Sequence, residues 1–117
     1  EISAACHYSC FCDGDLVGVF SFIVGKDPNY SYIKDGAWLN DEPYGTIHRL
    51  ASAGTMRGIA AACIEWCAGR CGNLRADTHR DNLVMQHILQ RHGFVRCGII
   101  YVQNGSERIA YQRVGCL

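Results

Sequence analysis

Proline is nearly absent from this chain of 117 residues, with 2 in all, which excludes a proline-rich spacer. The 13 glycines follow no three-residue period, so the chain is not collagen-like. Long apolar runs are missing too. The longest, Leu16 to Val24, is broken by Gly18 and Ser21 and falls far short of the ~18–20 residues of a membrane span. No basic stretch followed by an apolar one opens the chain, so no signal peptide is read. There is no net charge, 11 Lys and Arg balancing 11 Asp and Glu, which argues against broad nucleic-acid binding, a task that needs a basic face. No Cys-x-x-Cys pair occurs, and no Cys pair is matched by a His pair at zinc-finger spacing, so no metal is expected.

What is present is a core. Hydrophobic residues make up 49% and charged residues 19%, enough apolar surface to fold and too little charge for disorder. The length fits one domain. The first residue is Glu rather than Met, and the chain is read as part of a longer product. The charges are segregated. Glu1, Asp13, Asp15, Asp27, Asp35, Asp41 and Glu42 face only Lys26 and Lys34 in the first 44 residues, whereas nine Arg face Glu65, Asp77, Asp81 and Glu107 in the rest. The basic part is suited to a small polyphosphate and the acidic part to a cation; solvated surface charge is the plainer account.

The 8 cysteines are numerous. Cys63, Cys67 and Cys71 recur every fourth residue in an Ala-rich stretch, on one side of a helix, and Cys10 and Cys12 share a strand face. Most are read as core thiols in a reducing cytoplasm.

Strands are expected at His7–Cys12 and Leu16–Val24 about the turn Asp13-Gly14-Asp15, then at Tyr44–Ser52, Asn73–Ala76, Phe94–Val102 and Glu107–Arg113. Helices are expected at Gly58–Gly69 and Asp81–His92, the second capped by Asp77 or Thr78 and stopped by Gly93. Residues 25–41 read as a loop whose Tyr30, Tyr32 and Trp38 either bind something or staple the loop to the core. The order is β-β-β-α-β-α-β-β, a mixed α/β (α+β) domain over residues 1–117.

One segment carries chemistry. From Leu50 through Ala51 and Ser52 a strand ends, Gly54 and Gly58 relax the turn, and a helix begins. The first N–H groups of a helix lack intrahelical partners and sit at the positive end of its dipole. Small residues let a phosphate approach them closely. With Asn82-Leu83-Val84-Met85 leading to Gly93-Phe94, and with Leu74-Arg75-Ala76-Asp77-Thr78-His79 before it, this pattern resembles the GNAT family of N-acetyltransferases. Thr55-Met56-Arg57-Gly58-Ile59-Ala60 matches the two small positions of that family's pyrophosphate loop, at Gly58 and Ala60, with Thr55 where the family has Gln or Arg.

The resemblance implies a mostly antiparallel twisted sheet flanked by helices, and an enzyme that transfers acetyl from acetyl-CoA to a primary amine of a small-molecule or peptide acceptor. It implies coenzyme A contacts at Leu50, Ala51 and Ser52 through the strand backbone, at Met56, Arg57, Gly58, Ile59 and Ala60 through the loop, and at Asn82 and Met85. His48, on the cofactor-side strand and in alternation with Tyr44, Thr46, Leu50 and Ser52, is the candidate base, since imidazole titrates near 6.5. Glu42, Asp41, Asp77 and His79 are further acid–base candidates. Where the family often has a thiolate-protonating Tyr, this chain has Leu89, which leaves a non-catalytic acyl-CoA-binding or regulatory module as the alternative. The family's opening strand and two helices have no counterpart here, so the domain is read as N-terminally incomplete. The apolar hairpin face should then be covered by a missing segment or by a second subunit in a homodimer.

Overall fold

A computed structural model describes residues 6–52 and 58–115. Asp13 (φ 51°) and Gly14 (φ 85°) both take left-handed backbone, the pair that a two-residue primed hairpin turn requires. They join β1 (Cys6–Cys12) to β2 (Asp15–Val24) in antiparallel register. β3 (Gly45–Ser52) pairs antiparallel with β2, and β4 (Asn73–Thr78) runs parallel to β3. A parallel pair needs a crossover, and α1 (Ile59–Arg70) supplies it. α2 (Leu83–Arg91) leads to β5 (Val95–Tyr101) and β6 (Glu107–Val114). β6 inserts between β4 and β5, giving the order β1-β2-β3-β4-β6-β5. All pairs but β3–β4 are antiparallel, so the mixed fold and its element order are as the sequence implied.

The second helix starts later than expected, and its cap is different. Asn82 Oδ1 accepts from the Met85 N–H at 3.0 Å, so Asn82 is the N-cap and Asp81 lies outside the helix. Asp77 caps nothing; its carboxylate accepts the Tyr30 hydroxyl instead.

Both helices cover one face of the sheet. Phe20, Phe22, Ile47, Leu74 and Tyr111 pack there against Cys63, Ile64 and Cys67 of α1 and Leu89 of α2. Trp66 of α1 closes the far end over Tyr8, with ring centroids 4.6 Å apart. Among the described cysteines, Cys63, Cys67 and Cys97 are buried, Cys10, Cys12 and Cys71 half-buried, and Cys6 exposed; all are free thiols. Burial pushes the Cys63 and Cys67 thiols up to about 12, so they pack as small hydrophobes.

The other face is covered by the long β2–β3 connection, residues 25–44. Tyr30 and Tyr44 are buried there against Ile100 and Ala110. The connection also pairs with the β5 edge: Lys34 and Ile99 exchange two N–H···O bonds of 2.8 Å, and the Ala37 N–H donates to the Cys97 carbonyl at 3.0 Å. Gly36 permits this approach, because a Cβ there would lie 1.9 Å from the Cys97 oxygen. The Arg75 guanidinium, on β4, is sandwiched 4.0 Å from the Trp38 ring and 3.9 Å from the Tyr44 ring. Tyr30 and Trp38 therefore staple the loop to the sheet, while Tyr32 is 63% exposed.

Candidate functional site

β3 carries a bulge. Its pairing with β2 shifts between Val19↔Ala51 and Ser21↔His48, so three steps along β3 match two along β2. Arg49 absorbs the extra residue at φ 55°, a left-handed conformation that a β-bulge accommodates. Beyond this point β3 no longer follows β4: their ladder ends at Ile47↔Ala76. The strands part, and a cleft of about 140 Å³ opens between them, lined by Leu50, Asp77, Asn82, Met85 and Leu89 among others.

The bulge also overturns a sequence expectation. Simple alternation puts Leu50 on the face of His48. Past the bulge, Leu50 instead packs against the helix-side core with Ile47, and His48 stays on the loop-covered face, where its Nε2 lies 3.2 Å from Asp27 Oδ2. Ser52 is the last residue of β3, opposite Gly18, and Ala51 stands opposite Val19.

A second, wider cleft of about 640 Å³ lies between the start of α1 and the length of α2. It is lined by Gly58, Ile59, Ala60 and Ala61 on one side and by Leu83, Val84, His87, Ile88, Arg91 and His92 on the other. Gly58 is the N-cap of α1 at φ 83°, ψ 1°, and among the described residues no side chain caps this helix end. Met56 and Arg57 lie outside the described residues. The described site residues thus fall in two places. Leu50, Asn82 and Met85 line the strand cleft, and Gly58, Ile59 and Ala60 line the helix cleft. Asn82 spends its carbonyl on the helix cap, so its amide NH2 is what it can offer a ligand.

No family model matches the chain, and no curated protein matches it. Solved structures do. The GNAT-family acetyltransferase from Streptococcus agalactiae 2603 matches with a TM-score of 0.81 and 34% identity, over 90% of this chain and 62% of its own. The chain belongs to the GNAT family. AAC(6')-Ib, solved in complex with ribostamycin and coenzyme A, is similar at 17% identity and a TM-score of 0.62, over 94% of this chain and 64% of its own. The NatC complex, solved with a Gag peptide and CoA, gives 19% identity and a TM-score of 0.60, over 86% and 62%. At these lower identities the likeness is one of fold. The chain spans less than two thirds of the length of each of these three.

In this GNAT chain the splayed edge has a feature that sequence reasoning missed. His48 and Asp77 are the first residues past the last β3–β4 pair. Each is held by the short 3₁₀ turn Pro28–Tyr30 or by its N-cap, Asp27. Asp27 reaches His48, and the buried Tyr30 hydroxyl donates to Asp77 Oδ2 at 2.6 Å. The bond to His48 holds the Asp27 carboxyl below the usual carboxylate range, against the upward push of burial and with help from the Asn29 N–H. Burial, then the neighbouring Asp77 charge, pushes the Tyr30 hydroxyl well above its ordinary value, so Tyr30 keeps its proton. Asp27 ahead of Pro28 was legible as a turn; its reach across to β3 was not. Of the other acid–base candidates, His79 Nδ1 accepts from the Asp81 N–H at 3.0 Å, outside the cleft linings, and Asp41 and Glu42 are exposed.

Proposed function

We propose that this chain serves acyl-coenzyme A-dependent N-acyl transfer, moving acetyl from acetyl-CoA to a primary amine by direct attack. The observation that carries the reading is the strand splay past Ile47 and Ala76, followed in the chain by a helix that starts at a left-handed glycine. A strand edge released from its neighbour offers N–H and C=O groups that an extended amide chain can complete, as an added strand would. The pantetheine arm is such a chain, and the backbone of Leu50, Ala51 and Ser52 is its partner in this reading. Asn82 contributes its amide NH2 and Met85 apolar contact. The N–H groups from Met56 to Ala60 take the pyrophosphate, where the helix dipole favours negative charge.

The chemistry then needs few groups. His48 takes a proton from the acceptor ammonium, leaving a nucleophilic amine. The amine nitrogen bonds to the thioester carbon, and a β3 N–H stabilises the oxyanion that forms. The C–S bond breaks, the nitrogen's second proton passes to water, and the coenzyme A thiolate takes a proton from water in turn. AAC(6')-Ib was solved with ribostamycin and NatC with a peptide; for this chain the acceptor is read as a small-molecule or peptide amine. Coenzyme A release with acetyl-CoA and a panel of amines tests the reading. His48→Gln is expected to lower kcat/KM at least about a hundredfold with coenzyme A affinity unchanged; near-native turnover would dismiss His48 as the base.

A second reading, a non-catalytic acyl-CoA-binding module, draws on Leu89. This residue is 2% exposed in the core and lines the strand cleft, where it offers no proton. Coenzyme A binding without turnover for any amine would favour that module.

A further inference from the structure

The Asp27 carboxylate is divided between two tasks. Oδ1 accepts from the Asn29 N–H at 2.9 Å, which locks the carboxylate onto its own 3₁₀ turn. Oδ2 faces His48 Nε2 at 3.2 Å. The Asp27 backbone is fixed as well, its N–H donating to the Tyr44 hydroxyl at 2.8 Å. The Asp27 side chain is 12% exposed and that of His48 28%, so the carboxylate is tucked behind an imidazole that solvent or an acceptor can reach. On the other flank of His48, its register partner Ser21 is engaged with His7, Oγ to Nδ1 at 2.6 Å. A neutral imidazole has one donor and one acceptor nitrogen, and the partner of one decides the role of the other.

We propose that Asp27 is a positioning residue for this transfer: its carboxylate holds the Nε2–H tautomer of His48 and leaves the Nδ1 lone pair to receive the acceptor's proton. The proposal rests on the reading of His48 as the base. It adds the atom that acts and the group that sets it. When Nδ1 takes the proton, the imidazolium carries a full charge, and the anion at Oδ2 stabilises it through the Nε2–H bond. The first proton leaves the acceptor ammonium, bonds to Nδ1 and is later released to solvent; the second leaves the nitrogen for water once the C–N bond has formed, and the departing thiolate is protonated by water. His48 is the one side chain of this chain that the step protonates.

Asp27→Asn separates this role from a structural one. Asn is as good a helix N-cap as Asp, so its Oδ1 can keep the Asn29 N–H and the turn. Its NH2 would then meet Nε2, and two donors cannot bond. The imidazole must accept at Nε2 and carry its proton on Nδ1, where the lone pair was needed. The expected result is a fall in kcat of tenfold or more with KM for acetyl-CoA unchanged. ¹⁵N shifts of the His48 ring, assigned by their loss in His48→Gln, should show the Nε2–H tautomer in the native protein and the Nδ1–H tautomer in Asp27→Asn. Asp27→Ser, whose hydroxyl can cap the turn but cannot reach His48, should lose the same rate. An Nδ1–H tautomer in the native protein, or native kcat in both Asp27 variants while His48→Gln is inactive, would overturn the positioning role and leave His48 as the base. Native turnover in His48→Gln would overturn both.

Discussion

Placing a glutamate at Gly58 puts a charge where the proposed pyrophosphate sits. Gly58 has φ 83°, and an ideal Cβ there meets no atom of the described residues within 4 Å, so none of the described core must move. What any substitution adds is strain, about 1–2 kcal/mol for a residue forced into left-handed backbone. This cost is common to Gly58→Ala and Gly58→Glu and falls on stability. The charge is specific to Glu. Two unit charges about 6 Å apart in water repel by about 0.7 kcal/mol. Against the roughly two charges of a pyrophosphate the loss is about 1.4 kcal/mol, about tenfold in Kd. Calorimetric titration with coenzyme A should therefore show at least tenfold weaker binding for Gly58→Glu and near-native binding for Gly58→Ala. Titration with pantetheine, which has no pyrophosphate, should not distinguish the two. Equal losses in both variants, or native affinity in folded Gly58→Glu, would refute an anion site at this helix start.

Tyr30→Phe removes a buried hydroxyl that donates to Asp77 at 2.6 Å. Hydrogen bonds to charged groups contribute about 1.5–3 kcal/mol, so the melting temperature should fall by roughly 5–10 °C; an unchanged value would show that the Tyr30–Asp77 contact adds nothing. The depressed carboxyl of Asp27 contributes stability that is present above the unfolded value, ~3.9, and lost as pH falls through the lower folded one. The stability gap between the native chain and Asp27→Asn, measured by urea unfolding, should therefore be widest near neutral pH and close as pH falls below about 4. A gap that is constant down to pH 3 would refute the assignment.

Most of the architecture was legible because its signals are local. Asp13-Gly14-Asp15 names its turn, and the Ala-rich run with cysteines every fourth residue names α1. The helix start at Gly58 and the Asn82 segment were legible for the same reason: each is a short motif whose spacing is its geometry. The bulge was not. Nothing in Thr46-Ile47-His48-Arg49-Leu50 marks Arg49 for left-handed backbone, a conformation that accompanies the register shift against β2 just past the end of the β4 ladder. One inserted residue moves every later side chain to the opposite face, so an error at Arg49 became an error at Leu50. The partners of His48 and Asp77 were hidden for a different reason. They come from residues 27–30, whose placement over β3 and β4 depends on contacts with strands far along the chain.

That dependence sets an order of assembly. The stems of the 25–44 connection meet at once, Gly25 donating to the Tyr44 carbonyl at 3.1 Å, as in any hairpin. Its body also takes distant partners: Lys34 bonds Ile99, and the Leu39 N–H donates to Gln112 Oε1, 73 residues away. Such contacts require β5 and β6 to be in place, because long-range closure lowers entropy before it gains contacts. This body is therefore expected to dock after β5 and β6 have paired. Tyr30, packed on Ile100 and Ala110, ties the hydroxyl on Asp77 to that step, whereas Asp27 is also held by Tyr44 beside β3. Amide protons of Lys34 and Ala37 should exchange together, ahead of those at Ile47 and Ala76 in the sheet's centre.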